Sequence, residues 1–189
     1  MTAHAVQTRP RAPLAALFVA FLACFALFPI EIDRAFGLPA HPLLLHAPVI
    51  FNPILALVSL AMVAKPAWRR RYGLAWGAFA VVALGSTVLT AGAGEAFIEG
   101  RPRIDDTLRN HADAAEALRL TMFIFTAVVL AVVAIDALGL RAPSALATVL
   151  TALVVLLAVS AGFFTVRAGH LGATAAWGEE DRGGGGGPG

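Results

Sequence analysis

Residues 142–166 read APSALATVLTALVVLLAVSAGFFTV and contain no charged side chain. A helix needs about 20 consecutive apolar residues to cross the hydrocarbon core of a bilayer, so this segment alone is long enough. Four further stretches also lack charge, at residues 12–30, 35–64, 72–94 and 120–135. The chain is therefore expected to form several membrane-spanning helices.

The composition of the whole chain agrees with a membrane protein. Of its 189 residues, 59% are hydrophobic and 14% are charged, whereas roughly a quarter of the residues of a soluble domain are charged. Little sequence remains for an aqueous domain, and we expect no nucleic-acid partner. The single cysteine, Cys24, lies inside the first apolar stretch, which excludes a disulfide framework or a cysteine-based zinc site.

The fold class that follows is an all-α integral membrane helix bundle with five transmembrane helices. The predicted spans are residues 13–30, 43–64, 73–94, 118–138 and 144–166. We interpret the first as a retained helix rather than a signal peptide. It is longer than a usual signal-peptide core, and no clear small-x-small cleavage site follows it.

A dense basic cluster lies between the second and third spans, formed by Lys65, Arg69, Arg70 and Arg71. Basic residues in short loops are retained on the cytoplasmic side of a membrane. The cluster therefore predicts that the N-terminus is inside and the C-terminus outside. With this orientation, every acidic residue except Asp136 lies on the outer side.

Three regions are expected along the chain. Residues 1–37 form an N-terminal tail and the first helix, residues 38–172 a four-helix membrane domain, and residues 173–189 an outer tail. The tail ends in a run of glycines and cannot bury enough apolar surface to order itself, which predicts flexibility.

Histidines converge on the outer end of the predicted bundle. His46 begins the second span, Glu95 ends the third, His111 precedes the fourth and His170 follows the fifth. An upward extension of the fourth helix, for which Asp105, Asp106 and Thr107 are the candidate caps, would place His111 roughly 10 Å above Leu118. Because alternating spans place these positions on one face, we expect a site there.

Histidine is the commonest metal and haem ligand in proteins. At the predicted depths, His46 and His170 suit the axial positions of haem b, with His111 in a supporting or surface role and Arg167 near the haem propionates. The alternative is a metal ion held by His46, His111, His170 and Glu95. We do not expect the chain to be an enzyme by itself.

Other polar residues receive structural interpretations. His41, before Pro42, is expected to cap a helix. Asp136 is expected to reach the interface or pair with Arg141. Pro48 lacks an amide hydrogen, so the carbonyl of Leu44 needs another donor. Glu95 and Glu99 have a second interpretation, as exposed ion pairs with Arg101 and Arg103.

Four segments together resemble an uncharacterised bacterial family of four-helix membrane proteins. They are HPLLLHAPVI at residues 41–50, TAGAGE at 90–95, HAD at 111–113 and GHLG at 169–172. The family pattern is similar to His-Pro-x-x-Val-His-Phe-Pro-Ile, with Ala47 in place of phenylalanine. After Gly172, the family continuation Gly-x-Leu-Val-Tyr-x-His-Gly is replaced by ATAAWG at residues 173–178. The resemblance covers residues 38–172 and implies the bacterial cytoplasmic membrane.

Members of that family occur fused to cytochrome c-like or Rieske-type domains, which implies electron transfer at the outer face. The first functional hypothesis is accordingly a membrane subunit that binds haem b or a metal and passes electrons to an outer-face redox partner. The second is a cofactor-free accessory subunit that stabilises a larger respiratory or photosynthetic membrane complex. A small transporter is less favoured, because five unequal spans contain no inverted repeat.

Overall fold

The computed structural model describes residues 11–99 and 104–177 of the chain. Apart from a hairpin whose two strands have two residues each, the elements in these ranges are α-helices, which confirms the all-α prediction. The helices are α1 (Arg11–Ala26), α2 (Ala40–Leu44), α3 (His46–Ala64), α4 (Pro66–Glu99), α5 (Asp106–Ala137) and α6 (Ser144–Trp177). The end of the predicted flexible tail, from residue 178, lies outside the described residues.

Among residues 11–99 and 104–177, four helical stretches are long and apolar enough to cross a membrane, and the first of them combines α2 with α3. They are Ala40–Ala64, Pro66–Glu99, Asp106–Ala137 and Ser144–Trp177. Helix α1 is also apolar, but its 16 residues are fewer than the roughly 20 that span a bilayer core. The fifth span and the orientation of the bundle stay predictions.

The four long helices pack in a ring, because α3 contacts α4, α4 contacts α5, α5 contacts α6 and α6 returns to α3. Helix α1 lies outside this ring against α4 and α5. The interior is filled by large apolar side chains, among which Trp76, Leu84, Met122 and Phe125 are almost fully buried. Short connections make successive helices antiparallel, so chain positions far apart meet at each end.

At one end of the ring, three helices continue beyond the predicted apolar spans. Helix α4 extends to Glu99, α5 begins at Asp106 and α6 continues to Trp177. The Asp105 side chain accepts a hydrogen bond of 2.7 Å from the Leu108 amide, so the expected cap of a lengthened α5 is confirmed. Together with α2, these three helix ends form what we call the histidine end of the bundle.

The linker between α1 and α2 also lies at the histidine end. It contains the hairpin of β1 (Arg34–Ala35) and β2 (Leu38–Pro39), whose turn is formed by Phe36 and Gly37, both with positive φ. Before the hairpin, the carbonyl of Ile30 lies directly against Gly92 of α4, where any Cβ would collide with it. Glycine at position 92 thus allows the linker to pack on the helix.

Candidate functional site

Two histidines from different helices meet at the histidine end. His41 belongs to α2 and His111 to the first turns of α5, and their ring centroids are 6.1 Å apart with the planes at 78°. His41 also stacks on Phe97 of α4, with centroids 6.3 Å apart. Both imidazoles are only partly exposed.

The same nitrogen of each ring is held by a neighbouring helix. His41 Nδ1 donates to the main-chain oxygen of Thr90 at 3.0 Å, and His111 Nδ1 donates to that of Ala168 at 2.9 Å. A carbonyl oxygen can only accept, so Nδ1 must hold the proton in both rings. With Nδ1 as the donor, Nε2 is the ring atom that can bind a metal.

Glycines leave room for both rings. A Cβ on Gly94 would lie 3.0 Å from His41 Nδ1, and a Cβ on Gly172 would lie 3.0 Å from His111 Cε1. Both distances are shorter than ordinary van der Waals contact. Larger residues at either position would push the imidazoles away from their carbonyl partners.

The break between α2 and α3 fixes the position of His41. Pro48 has no amide hydrogen to offer the carbonyl of Leu44, as expected from the sequence. The Thr90 hydroxyl lies 3.1 Å from the Leu44 oxygen and 2.8 Å from the Ser86 carbonyl oxygen of its own helix, so its single proton is shared between the two carbonyls. Thr90 therefore contacts both ends of α2, through its carbonyl at His41 and through its hydroxyl at Leu44.

Beside the two rings lies a cavity of about 680 Å³, bounded by α2 and all four long helices. His41, His46 and His111 are its histidines, and its walls are otherwise mainly apolar and small residues. Thr87 and Thr165 line its inner end, and both lie within hydrogen-bonding distance of the buried Asn52 amide, at 3.2 and 3.4 Å. The cavity has the size range of ligand-binding pockets.

The predicted site residues are only partly brought together. His46 and His111 line the cavity, whereas His170 and Arg167 are exposed on α6 and do not line it. Glu95 forms an ion pair with Arg119, Nη1 to Oε1, at 3.0 Å. Among residues 11–99 and 104–177, no three His, Cys, Asp or Glu side chains form a group that could hold a metal ion.

Some structural interpretations need correction. His41 does not cap α2, which has no side-chain cap, but bonds across to α4. Asp136 pairs with Arg69 at 2.6 Å rather than with Arg141, since the start of α4 lies beside the end of α5. Arg101 and Arg103, the expected partners of Glu95 and Glu99, lie outside the described residues.

Sequence reasoning underestimated His41 and overlooked Arg119 as an interior residue. The signals were present: His41 stands in the same short motif as His46, and glycines occur at positions 94 and 172. Arg119 directly follows Leu118 at the start of an apolar run, yet it is 5% exposed. A cation in that position needs buried partners.

A ring of four long apolar helices, with polar contacts directed to its interior, defines a multi-pass membrane helix bundle. The chain belongs to a family described as predicted membrane protein (DUF2231), whose model matches residues 37–180. The expected membership of an uncharacterised membrane family is thereby confirmed, and the surroundings of the four long helices are lipid. No curated protein and no solved structure matches the chain.

Proposed function

We propose that the protein binds haem b in the cavity at the histidine end and acts in membrane electron transfer, with His41 and His111 as the residues that would hold its iron. The observation behind the proposal is the pair of imidazoles beside one cavity, each with Nδ1 bonded to a main-chain carbonyl. Ligating histidines commonly donate their second ring N–H in this way, which fixes the orientation of the ring.

The spacing of the rings suits a shared iron. Two imidazole nitrogens that each lie about 2.0 Å from one metal ion can place their ring centres roughly 6 Å apart. The centroids of His41 and His111 are 6.1 Å apart. Nearly perpendicular ring planes are compatible with this arrangement, because binding of a metal ion by two imidazole nitrogens does not require the two ring planes to be parallel.

The walls of the cavity suit the porphyrin ring of haem. Bound haem would supply one-electron redox chemistry at its iron. The apolar side chains around it would exclude water, and the cavity of about 680 Å³ offers space for a large flat ligand. His46, which lines the cavity, would contact the ligand from α3.

The proposal is tested on the full chain, produced with a supply of haem and purified in detergent. A reduced-minus-oxidised absorption spectrum should show b-type bands. H41N and H111N should lose most of this signal, since asparagine can still donate to the carbonyl but has no nitrogen at the position of Nε2. H170N serves as the matched control and should keep the bands.

Two results would contradict the assignment. Wild-type protein without haem bands would reject haem binding. Loss of the bands in H46N and H170N, with retention in H41N and H111N, would instead identify His46 and His170, the pair that the sequence predicts, as the ligands.

A second candidate function is that of a cofactor-free accessory subunit of a larger membrane complex. One observation favours it: the Nδ1 bonds of His41 and His111 join α2 to α4 and α5 to α6, which is a structural role in itself. This function predicts stable assembly with larger partners in H41N and H111N. Failure of these variants to assemble, in parallel with loss of haem, would exclude it.

A further inference from the structure

The end of the bundle opposite the histidines contains a second, smaller cavity of about 240 Å³ between α4 and α5. Arg69, Arg70 and Arg71 line it from the first turns of α4, and Val133 and Asp136 line it from the last turns of α5. One side of the cavity is thus basic and the other largely apolar. The candidate haem site lies at the other end of the bundle.

The charges in the cavity do not balance. Asp136 accepts from Arg69 Nε at 2.6 Å, so the single carboxylate is used by one of the three guanidinium groups. Within the part of the chain that the structure describes, Arg70 and Arg71 form no ion pair, and both are exposed. Two positive charges therefore remain available to an anion.

Aromatic residues place this cavity at the membrane surface. Trp68 and Tyr72 flank the arginines, and each is 45% exposed. Tryptophan and tyrosine are enriched where the bilayer core meets the headgroups. Lys65 Nζ lies 4.3 Å from the Trp68 ring centre, and the Arg71 guanidinium lies 5.4 Å from the Tyr72 ring centre. Both distances are within the range of cation–π contacts.

We infer that the cavity between α4 and α5 binds the phosphate headgroup of an anionic phospholipid, with Arg70 and Arg71 contacting the phosphate. Guanidinium groups offer paired N–H donors that match phosphate oxygens. Basic pockets between transmembrane helices bind anionic lipids, and the apolar wall at Val133 suits the adjoining acyl chain. The Arg69–Asp136 ion pair would hold the two helices at the required separation.

Binding is measured on the full chain in detergent by native mass spectrometry, with phosphatidylglycerol or phosphatidylcholine added in equal amounts. Wild-type protein should retain phosphatidylglycerol preferentially. R70Q/R71Q should bind it roughly tenfold or more weakly, because two basic residues near the surface are removed. K65Q/R141Q removes the same charge at the same end but outside the cavity lining, and it should bind like wild type.

Three outcomes would overturn the inference. The first is unchanged phosphatidylglycerol binding in R70Q/R71Q. The second is an equal loss in K65Q/R141Q, which would indicate a diffuse surface field. The third is equal retention of both lipids together with binding of inorganic phosphate that R70Q/R71Q abolishes, which would identify a site for free anions.

Discussion

The main chain of Thr90 accepts a hydrogen bond of 3.0 Å from His41, forty-nine positions earlier in the sequence. The hydroxyl of the same residue is shared between the Ser86 carbonyl of its own helix, at 2.8 Å, and the carbonyl that Pro48 leaves without a donor, that of Leu44, at 3.1 Å. The proline break in the first long span and the placement of a candidate haem ligand therefore depend on one residue of α4.

Replacing Thr90 by valine tests this dependence. T90V should lower the free energy of unfolding by about 1 kcal/mol, because it removes the hydroxyl proton that the Leu44 and Ser86 carbonyls share, and Leu44 then has no donor. The measurement is the midpoint of unfolding by a denaturing detergent, followed by circular dichroism. T90S keeps a hydroxyl and should behave like wild type.

Thr148 provides a matched control for the same change. Its hydroxyl donates to the Ser144 carbonyl of its own helix and is exposed. T148V should therefore leave the unfolding midpoint unchanged. A loss in T148V equal to that in T90V would contradict the specific role of the Leu44 contact.

Gly172 should be required for the orientation of His111. In G172V, the new side chain occupies space within 3.0 Å of the His111 ring and should displace the ring from the Ala168 carbonyl. We expect the b-type absorption bands to be shifted or lost. G162V places the same residue on α6 where nothing lies within 4 Å, and it should leave the spectrum intact.

Gly92 should be required for packing of the linker that follows α1. G92A introduces a methyl group into the carbonyl of Ile30, so the linker should move away and become more sensitive to limited proteolysis. G85A is the control in the same helix, because its methyl group would meet only Cys24 Sγ at 3.8 Å. G85A should match or exceed wild-type stability, since alanine favours a helix by about 1 kcal/mol over glycine. Equal protease sensitivity of the two variants would argue against the close contact.

Arg119 and its two acidic neighbours allow a prediction about which of two changes lowers the free energy of unfolding more. Its side chain is 6% exposed and lies over the Phe28 ring, while Glu95 and Glu116 beside it are 45% and 56% exposed. Although Nη1 lies 3.0 Å from Glu95, Arg119 Nε and Nη1 have no partner with hydrogen-bond geometry among the described residues. The ion pair with Glu95 is therefore chiefly electrostatic.

Removing the acids should accordingly cost more than removing the base. E95Q/E116Q leaves a buried cation without an anion and should lower the free energy of unfolding by about 2 kcal/mol. R119M leaves two carboxylates that water can solvate and should lower it by less. Detergent-induced unfolding of both variants measures the difference, and a larger loss in R119M would refute the explanation.

Depth along the helices was predictable from the sequence. Four charge-free runs located the long helices, Asp105 marked the start of an extended α5, and Pro48 identified Leu44 as a carbonyl in need of a donor. Each of these follows from hydropathy or from the chemistry of the main chain. They do not depend on which way a helix is turned.

Rotation about the helix axes was not predictable. A helix in lipid is apolar on all sides, so its sequence contains little periodic signal to distinguish the interior face from the lipid face. His170 lies at the histidine end but does not line the cavity, which Gly169 and Gly172 of the same helix do line. Asp136 pairs with Arg69 instead of Arg141 because of which helix ends are neighbours, and this likewise depends on the packing of the helices.

The partners of both His41 and His111 are carbonyl groups of the main chain. Every residue type presents the same oxygen, so substitution at Thr90 or Ala168 does not remove the acceptor as long as the helix persists. Substitutions at positions 90 and 168 therefore leave the protonated nitrogen of each imidazole unchanged. Divergent chains with this fold can retain the chemistry of the histidines while the residues that orient them vary.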